Sequence, residues 1–336
     1  MKILFDHPCP FQLTHGGFQI QIEQTKAALE KLGVSVDFLR WWDDRQEGDL
    51  IHYFGRPSPF YIGKAHEKRR RIVISELLGG LGARSASQRA VQRMMIGVAR
   101  KILPGDFISR MAWDVFQLAD ACIALTPWEA RLMVETFSAP GGRVHVVPNG
   151  VEPVFFAAAP APRGPWLICT ATLNAQKRLL EVAEAALVAQ TPIWFVGKPY
   201  AEHDSYVQRF LETARKNPAL IRYEGPIEDR GKMAQACREA RGFVLLSQWE
   251  SLSLSALEAA ACGCPLLLGD LPWAHSVFGD SVSYCRIDAT TQQTAQALRR
   301  FYDQAPALKP PPRPASWQEV AQQLSDIYRA VLKTSR

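Results

Sequence analysis

The chain has 336 residues, above the roughly 100 to 200 typical of one domain, so its length points to two domains joined in one body. Hydrophobic residues make up 47% and charged residues 21%, a balance that excludes intrinsic disorder and lets each half bury a full core. The net charge of +6 favours anionic partners such as a nucleotide diphosphate, an acidic membrane surface or nucleic acid; no zinc-finger spacing, RNP aromatic set or basic zipper appears, which argues against nucleic acid.

From the N-terminus, Met1 to Asp6 reads as a short strand rather than a leader, because its apolar run is too short and prolines follow at once. His15, Gly16, Gly17 and Phe18 come next, between strand and helix, where glycines let backbone approach a diphosphate closely. A plain tight turn explains two adjacent glycines equally well, and the missing G-x-G-x-x-G pattern argues against a nicotinamide cofactor. Phe18, Ile22, Leu29 and Leu32 fall on one helical face that Gly33 ends. Further strands are predicted at 34–39, 49–54, 71–75, 121–125 and 144–147, with Asp43 and Asp44 in a polar loop between the first two.

Lys68 to Arg71 and the segment from Arg84 to Lys101 combine arginines with Met94, Met95, Ile96 and Val98. A basic amphipathic helix of that kind suits an anionic lipid surface, and an ordinary helix with a solvated basic face is the competing account. No apolar run approaches the roughly 18 to 20 residues that span a bilayer, so a cytoplasmic location, peripheral to a membrane at most, is expected. Seven cysteines without a C-x-x-C pair argue against a disulfide framework or zinc site, and Cys262 and Cys264 read as small core residues.

Pro148, Asn149 and Gly150, followed by the Ala/Pro stretch 157–165, read as a linker, with the boundary expected near 155–163. Strands at 166–171, 192–197, 220–223, 242–247, 265–268 and 282–285 then alternate with helices at 181–189, 206–215, 232–240, 255–262 and 292–300. That alternation predicts a doubly wound α/β domain. The domains expected are therefore 1–155, 156–315 and a final helical segment, 316–336, long enough to cross back onto the first.

Open parallel sheets bind ligands beyond the carboxyl ends of their strands. Glu250 lies just past the strand 242–247, and a helix predicted to begin near Ser255 would offer the amides of Ser251 to Ser255, including Ser253 and Leu254, to a phosphate. Glu258 sits one turn inside, although Ser255 to Glu258 also fits a plain S-x-x-E capping box. Lys177 and Arg178 follow the first strand of the second half, where two cations suit a diphosphate and a solvated basic loop is the bland alternative.

The segment from Glu250 to Pro265 resembles the E-x7-E signature of the retaining glycosyltransferases of family 4, which have the GT-B fold: two Rossmann-like doubly wound domains facing across a cleft. Gly16 and Gly17, Asp49 to His52, Ala119 to Thr126, Val146 to Val151, Lys177, Val196 and Gly197, Gly225 to Ile227, and Ser316 with Trp317 resemble family landmarks in their usual order. The resemblance implies that Glu258 bonds the ribose, that Glu250 contacts the donor sugar, and that Lys177 and the Ser251 to Ser255 amides hold the diphosphate. It places Gly17 against the diphosphate from the other domain and the base near Ile227.

By the same resemblance the donor is a nucleoside-diphosphate sugar, the acceptor a glycan or lipid-linked sugar of the kind used in polysaccharide biosynthesis, and neither cofactor nor metal is needed. Two positions depart from the family. Thr172 stands where a diphosphate-binding arginine is usual, leaving Arg178 as its substitute, and Ser75, Glu76 and Leu77 occupy a place where relatives carry a histidine near the acceptor. A degenerate sugar-nucleotide-binding protein and a sugar-nucleotide epimerase are the alternatives.

Overall fold

The computed structural model describes residues 1–8, 10–12, 16–156 and 162–334, apart from the side chains at 106, 108 and 109. His15 and the first five residues of the expected linker, 157–161, lie outside the described residues. The chain divides into two compact units, Met1–Asn149 together with Trp317–Arg336, and Gly150–Ser316.

In the first unit, strands β1 (Lys2–Asp6), β2 (Ser35–Phe38), β3 (Leu50–Phe54), β4 (Arg71–Ser75), β5 (Ala121–Ala124) and β6 (Val144–Val146) form one parallel sheet in the order β2-β1-β3-β4-β5-β6. In the second, β7 (Leu167–Thr170), β8 (Ile193–Val196), β9 (Ile221–Tyr223), β10 (Gly242–Leu245), β11 (Leu266–Gly269) and β12 (Ser283–Cys285) pair in parallel in the order β12-β11-β10-β7-β8-β9. All twelve strands coincide with predicted runs, with ends differing by a residue or two. Every residue of β3, β5, β7, β10 and β11 is buried, as expected of strands covered by helices on both faces. Strand order reverses between β7 and β10 in the second unit and between β1 and β3 in the first, and each reversal opens a crevice at the carboxyl ends of the strands.

The helix Trp317–Lys333 belongs to the first unit. It buries Trp317, Val320, Ala321, Leu324, Tyr328 and Val331, a spacing that lays one face down, and packs against the helix Gly17–Lys31. That contact explains why Gln21 and Thr25 are buried in the earlier helix beside the predicted Ile22 and Leu29. Beneath it, His52 on β3 bonds Tyr328 through Nδ1 at 2.6 Å and Ser75 through Nε2 at 2.7 Å. Burial holds the His52 imidazole down at about 3.

The seam falls earlier than the linker composition suggests. Pro153–Phe156 is helical, Phe155 is buried, and this turn packs on the helices Arg230–Glu239 and Leu254–Ala261, so residues 150–156 belong to the second unit. A large aromatic side chain needs a core, which outweighs the prolines and alanines that follow it.

Candidate functional site

The crevice between β7 and β10 is assembled from two loops. After β7, Asn174 accepts the Lys177 N–H at 3.0 Å and caps the single turn Ala175–Lys177. Arg178 then takes a left-handed conformation (φ 56°) that turns the chain into the helix Leu179–Val188. After β10, Gln248 donates its N–H to the Gln176 carbonyl at 2.8 Å, and Gln176 Nε2 donates to the Trp249 carbonyl at 3.0 Å. The two loops are thereby fixed to each other, and they bring Lys177 Nζ onto Glu250 Oε1 as an ion pair whose side chains are both largely buried. A lysine ammonium has three donors, so Lys177 keeps two beyond that pair.

The helix Leu254–Ala261 starts beside this pair, and its N-cap is Ser253, not Ser255: Ser253 Oγ accepts the Ala256 N–H at 3.3 Å and bonds Ser255 Oγ at 3.1 Å. The first turn leaves the Leu254 and Ser255 N–H groups without partners inside the helix and pointing outward from its start, a ready anion seat. Because the cap is two residues earlier, the Ser255 to Glu258 capping box does not form. Glu258 instead bonds Arg230 Nη2 through Oε1. Burial pushes the Glu258 carboxyl above its usual range, and Arg230 opposes the rise. Among the described residues Glu258 Oε2 accepts no hydrogen bond, so one oxygen remains to accept from a ligand hydroxyl.

Arg230 and Glu152 had no signature in the sequence. Arg230 lies over the Phe155 ring at 4.7 Å and donates from Nε to Glu152 Oε1 at 2.8 Å, a three-membered network of two carboxylates and one guanidinium. The Asp229 cap on the following helix, with its side chain accepting the Lys232 N–H, was the only local cue to where Arg230 would stand.

Thr172 is half-buried in the segment that joins β7 to the Lys177 turn. That segment is pressed against the end of β8: Leu173 donates to the Lys198 carbonyl at 3.1 Å, and Gly197 N donates to the Gly225 carbonyl at 3.2 Å. Ile227, half-buried, follows Gly225 on the loop after β9. Arg178 is not part of the Lys177–Glu250 pair; its Nη1 donates to the Ile287 carbonyl at 2.6 Å in the loop after β12. Ser247, buried at the end of β10, has a hydroxyl with no partner among the described residues.

In the first unit, Gly16 (φ 133°) opens the helix Gly17–Lys31 directly after the β1 loop, and no side chain caps it. Asp6, buried at the carboxyl end of β1, accepts from Tyr61 Oη at 2.6 Å, Trp41 Nε1 at 3.1 Å and the His7 N–H at 2.9 Å, yet Trp41 is 72% exposed. Glu76 pairs with Arg56 at 2.7 Å, and burial raises its carboxyl against the pull of that arginine. Asp43 bonds Arg40 at 2.7 Å and sits in the predicted polar loop.

Two doubly wound parallel sheets in one chain are the architecture of the GT-B fold. The structure superposes with a TM-score of 0.71 on sucrose-phosphate synthase from Thermosynechococcus elongatus (16% identity, 99% of this chain and 100% of that one). It superposes at 0.64 on HepE from Anabaena solved in complex with UDP (14% identity, 98% and 100%). Residues 164–304, most of the second unit, match the profile of the family described as Glycosyl transferases group 1. Among curated relatives, a D-inositol 3-phosphate glycosyltransferase of Nocardioides sp. is 29% identical over 253 residues, 64% of this chain and 55% of that protein. Another, from Catenulispora acidiphila, is 25% identical over 83% of this chain and 74% of its own length. The chain thus spans little more than half the length of the first of these relatives.

Proposed function

We propose that the protein is a glycosyltransferase that moves a sugar from a nucleoside-diphosphate sugar to a hydroxyl of a glycan or lipid-linked acceptor, with retention at the anomeric carbon and without a metal. The observation that carries this reading is the Lys177–Glu250 pair set beside the N-terminus of the helix Leu254–Ala261, at the switch point of the unit that matches the group 1 profile. As the bond from the anomeric carbon to the diphosphate breaks, negative charge gathers on the leaving oxygen. Lys177 and the Leu254 and Ser255 amides stand ready to receive it, and fixed donors of this kind need no reorganisation during the reaction. Glu250 orients Lys177 and offers a carboxylate to the sugar hydroxyls, while Glu258, steadied by Arg230, takes the ribose and Ile227 borders the base. Gly16 and Gly17 stand at a helix start in the first unit that carries no side-chain cap. The HepE structure with UDP and UDP-glucose supports a nucleotide-sugar donor by analogy of fold. A cytoplasmic site of action accords with the supply of such donors.

The test is release of nucleoside diphosphate from UDP-, GDP- and ADP-sugars by the purified protein, with acceptor extracts supplied and with chelator present. Turnover is expected with one donor and is expected to fall about 100- to 1000-fold in Lys177→Ala, the typical cost of one transition-state donor. Failure of every donor to bind or turn over overturns the proposal. Binding without turnover favours a degenerate sugar-nucleotide-binding protein, and conversion of the donor sugar without acceptor favours an epimerase.

A further inference from the structure

The helix Ala86–Ile102 of the first unit carries its apolar face outward. Its start is well fixed, with Ser85 and Gln88 forming a reciprocal capping box, and Ile96 is its single buried residue. Polar groups do the rest of the anchoring. Arg100 donates to the Trp113 and Phe137 carbonyls, each at 3.0 Å, and to Ser138 Oγ at 2.9 Å, and Arg93 faces Glu135 at 3.7 Å. On the opposite side Val91, Met94, Met95, Val98 and Ile102 are 51%, 63%, 62%, 48% and 72% exposed. Their spacing places all five on one stripe. Exposed Phe107 and Met111 lie on the next short helix, Gly105–Met111, which packs on the first.

A surface helix ordinarily turns such a stripe toward the core, and a contiguous exposed patch marks a surface that is covered in use. The charge around it identifies the cover. Between Leu77 and Trp113 there are six basic residues and one acidic residue, Asp106. Arg84, Arg89, Lys101 and Arg110 make no ion pair among the described residues. A second copy of the same face would bring these cations together with almost nothing to neutralise them, which disfavours self-association. An anionic bilayer supplies both requirements, acyl chains for the stripe and phosphates for its flanks.

We propose that the helix Ala86–Ile102 is a docking surface for anionic lipid, lying in the plane of the membrane with Val91, Met94, Met95, Val98 and Ile102 at the acyl boundary and Arg84, Lys101 and Arg110 on the headgroups. The mode is interfacial, because no helix of the described residues is long and apolar enough to cross a membrane. The inference does not depend on the transfer reaction. It also refines the sequence expectation: Ile96 anchors the helix to the body, and its methionine neighbours face the lipid.

The experiment is sedimentation of the full-length protein with vesicles of phosphatidylcholine alone and of phosphatidylcholine mixed with phosphatidylglycerol, at low and high salt. Binding is expected to the anionic vesicles only and to weaken with salt. The double substitution Met94→Gln with Met95→Gln, at side chains that touch little of the fold, is expected to lower partitioning about tenfold or more while leaving the melting temperature unchanged. Replacing Arg84 and Lys101 by Glu is expected to cost at least about fivefold for each charge. Absence of binding to either vesicle, equal binding to both, or undiminished binding of the methionine variant each overturns the proposal. So does a self-associated species that the methionine variant dissolves in a protein that ignores vesicles.

Discussion

Glu258 and Glu250 are eight positions apart, but each is steadied by a different cation. Lys177 holds Glu250 from the loop after β7, whereas Arg230 holds Glu258 with help from Glu152. Glu258→Ala is therefore expected to leave Arg230 paired with Glu152 and the unit folded, while weakening nucleoside-diphosphate binding about 10- to 100-fold, the range for one charge-assisted hydrogen bond. Calorimetric titration with UDP, GDP and ADP checks this, and unchanged affinity for all three would contradict the proposed role of Glu258. The glutamates and Lys177 were readable because short local spacings set them at strand ends. Arg230 and Glu152 were not, since their meeting depends on the packing of Phe155, which brings together residues 78 positions apart.

His52 offers a second test at the level of one side chain. Its folded-state value of about 3 lies below the ordinary imidazole value of 6.5, so the unfolded chain binds the extra proton between those limits. Stability from the neutral, doubly bonded imidazole is full above about pH 6.5 and is lost at up to about 1.4 kcal/mol per pH unit as the pH falls toward 3. Urea denaturation at several pH values, compared with His52→Gln, is expected to show a shallower acid loss in the variant.

At the scale of elements, the alternation of apolar runs and helical faces located every strand, because a strand buried on both faces needs a continuous apolar sequence. The contacts between strand ends were less legible. Gly197 (φ 152°) lies so close to the β7 loop that a Cβ there would stand 1.9 Å from the Ala171 carbonyl oxygen. Gly197→Ala is expected to destabilise the second unit by about 2 kcal/mol or more and to displace the loop that carries Lys177. A melting curve together with donor affinity tests both, and a variant as stable and as tight as the parent would contradict the close approach. Helix orientation was the other gap. The period of Ala86–Ile102 gave a helix with an apolar stripe, but which face met the body depended on Ile96 and on carbonyls at Trp113 and Phe137, remote in sequence.

For the whole molecule, prolines and alanines suggested a seam after residue 155, and packing put it at Gly150. The closing helix is integral to the first unit: Tyr328 completes the His52 hydrogen bonds, and Trp317, Val320, Leu324 and Val331 complete its core. A chain ending at Ser316 is expected to lose cooperative unfolding of the first unit while the second still melts as before. Two calorimetric transitions in the parent and one in the truncated protein would bear this out, and two in both would refute it.

This interleaving also orders events on the ribosome. Residues 1–149 leave the ribosome long before the helix Trp317–Lys333 that completes their unit, with the whole of residues 150–316 made in between. The segment made first therefore cannot become native until the chain is nearly finished. During that interval its apolar strands depend on chaperones or on rapid completion of the chain, and a translational pause placed between the two halves would bring no benefit to the first.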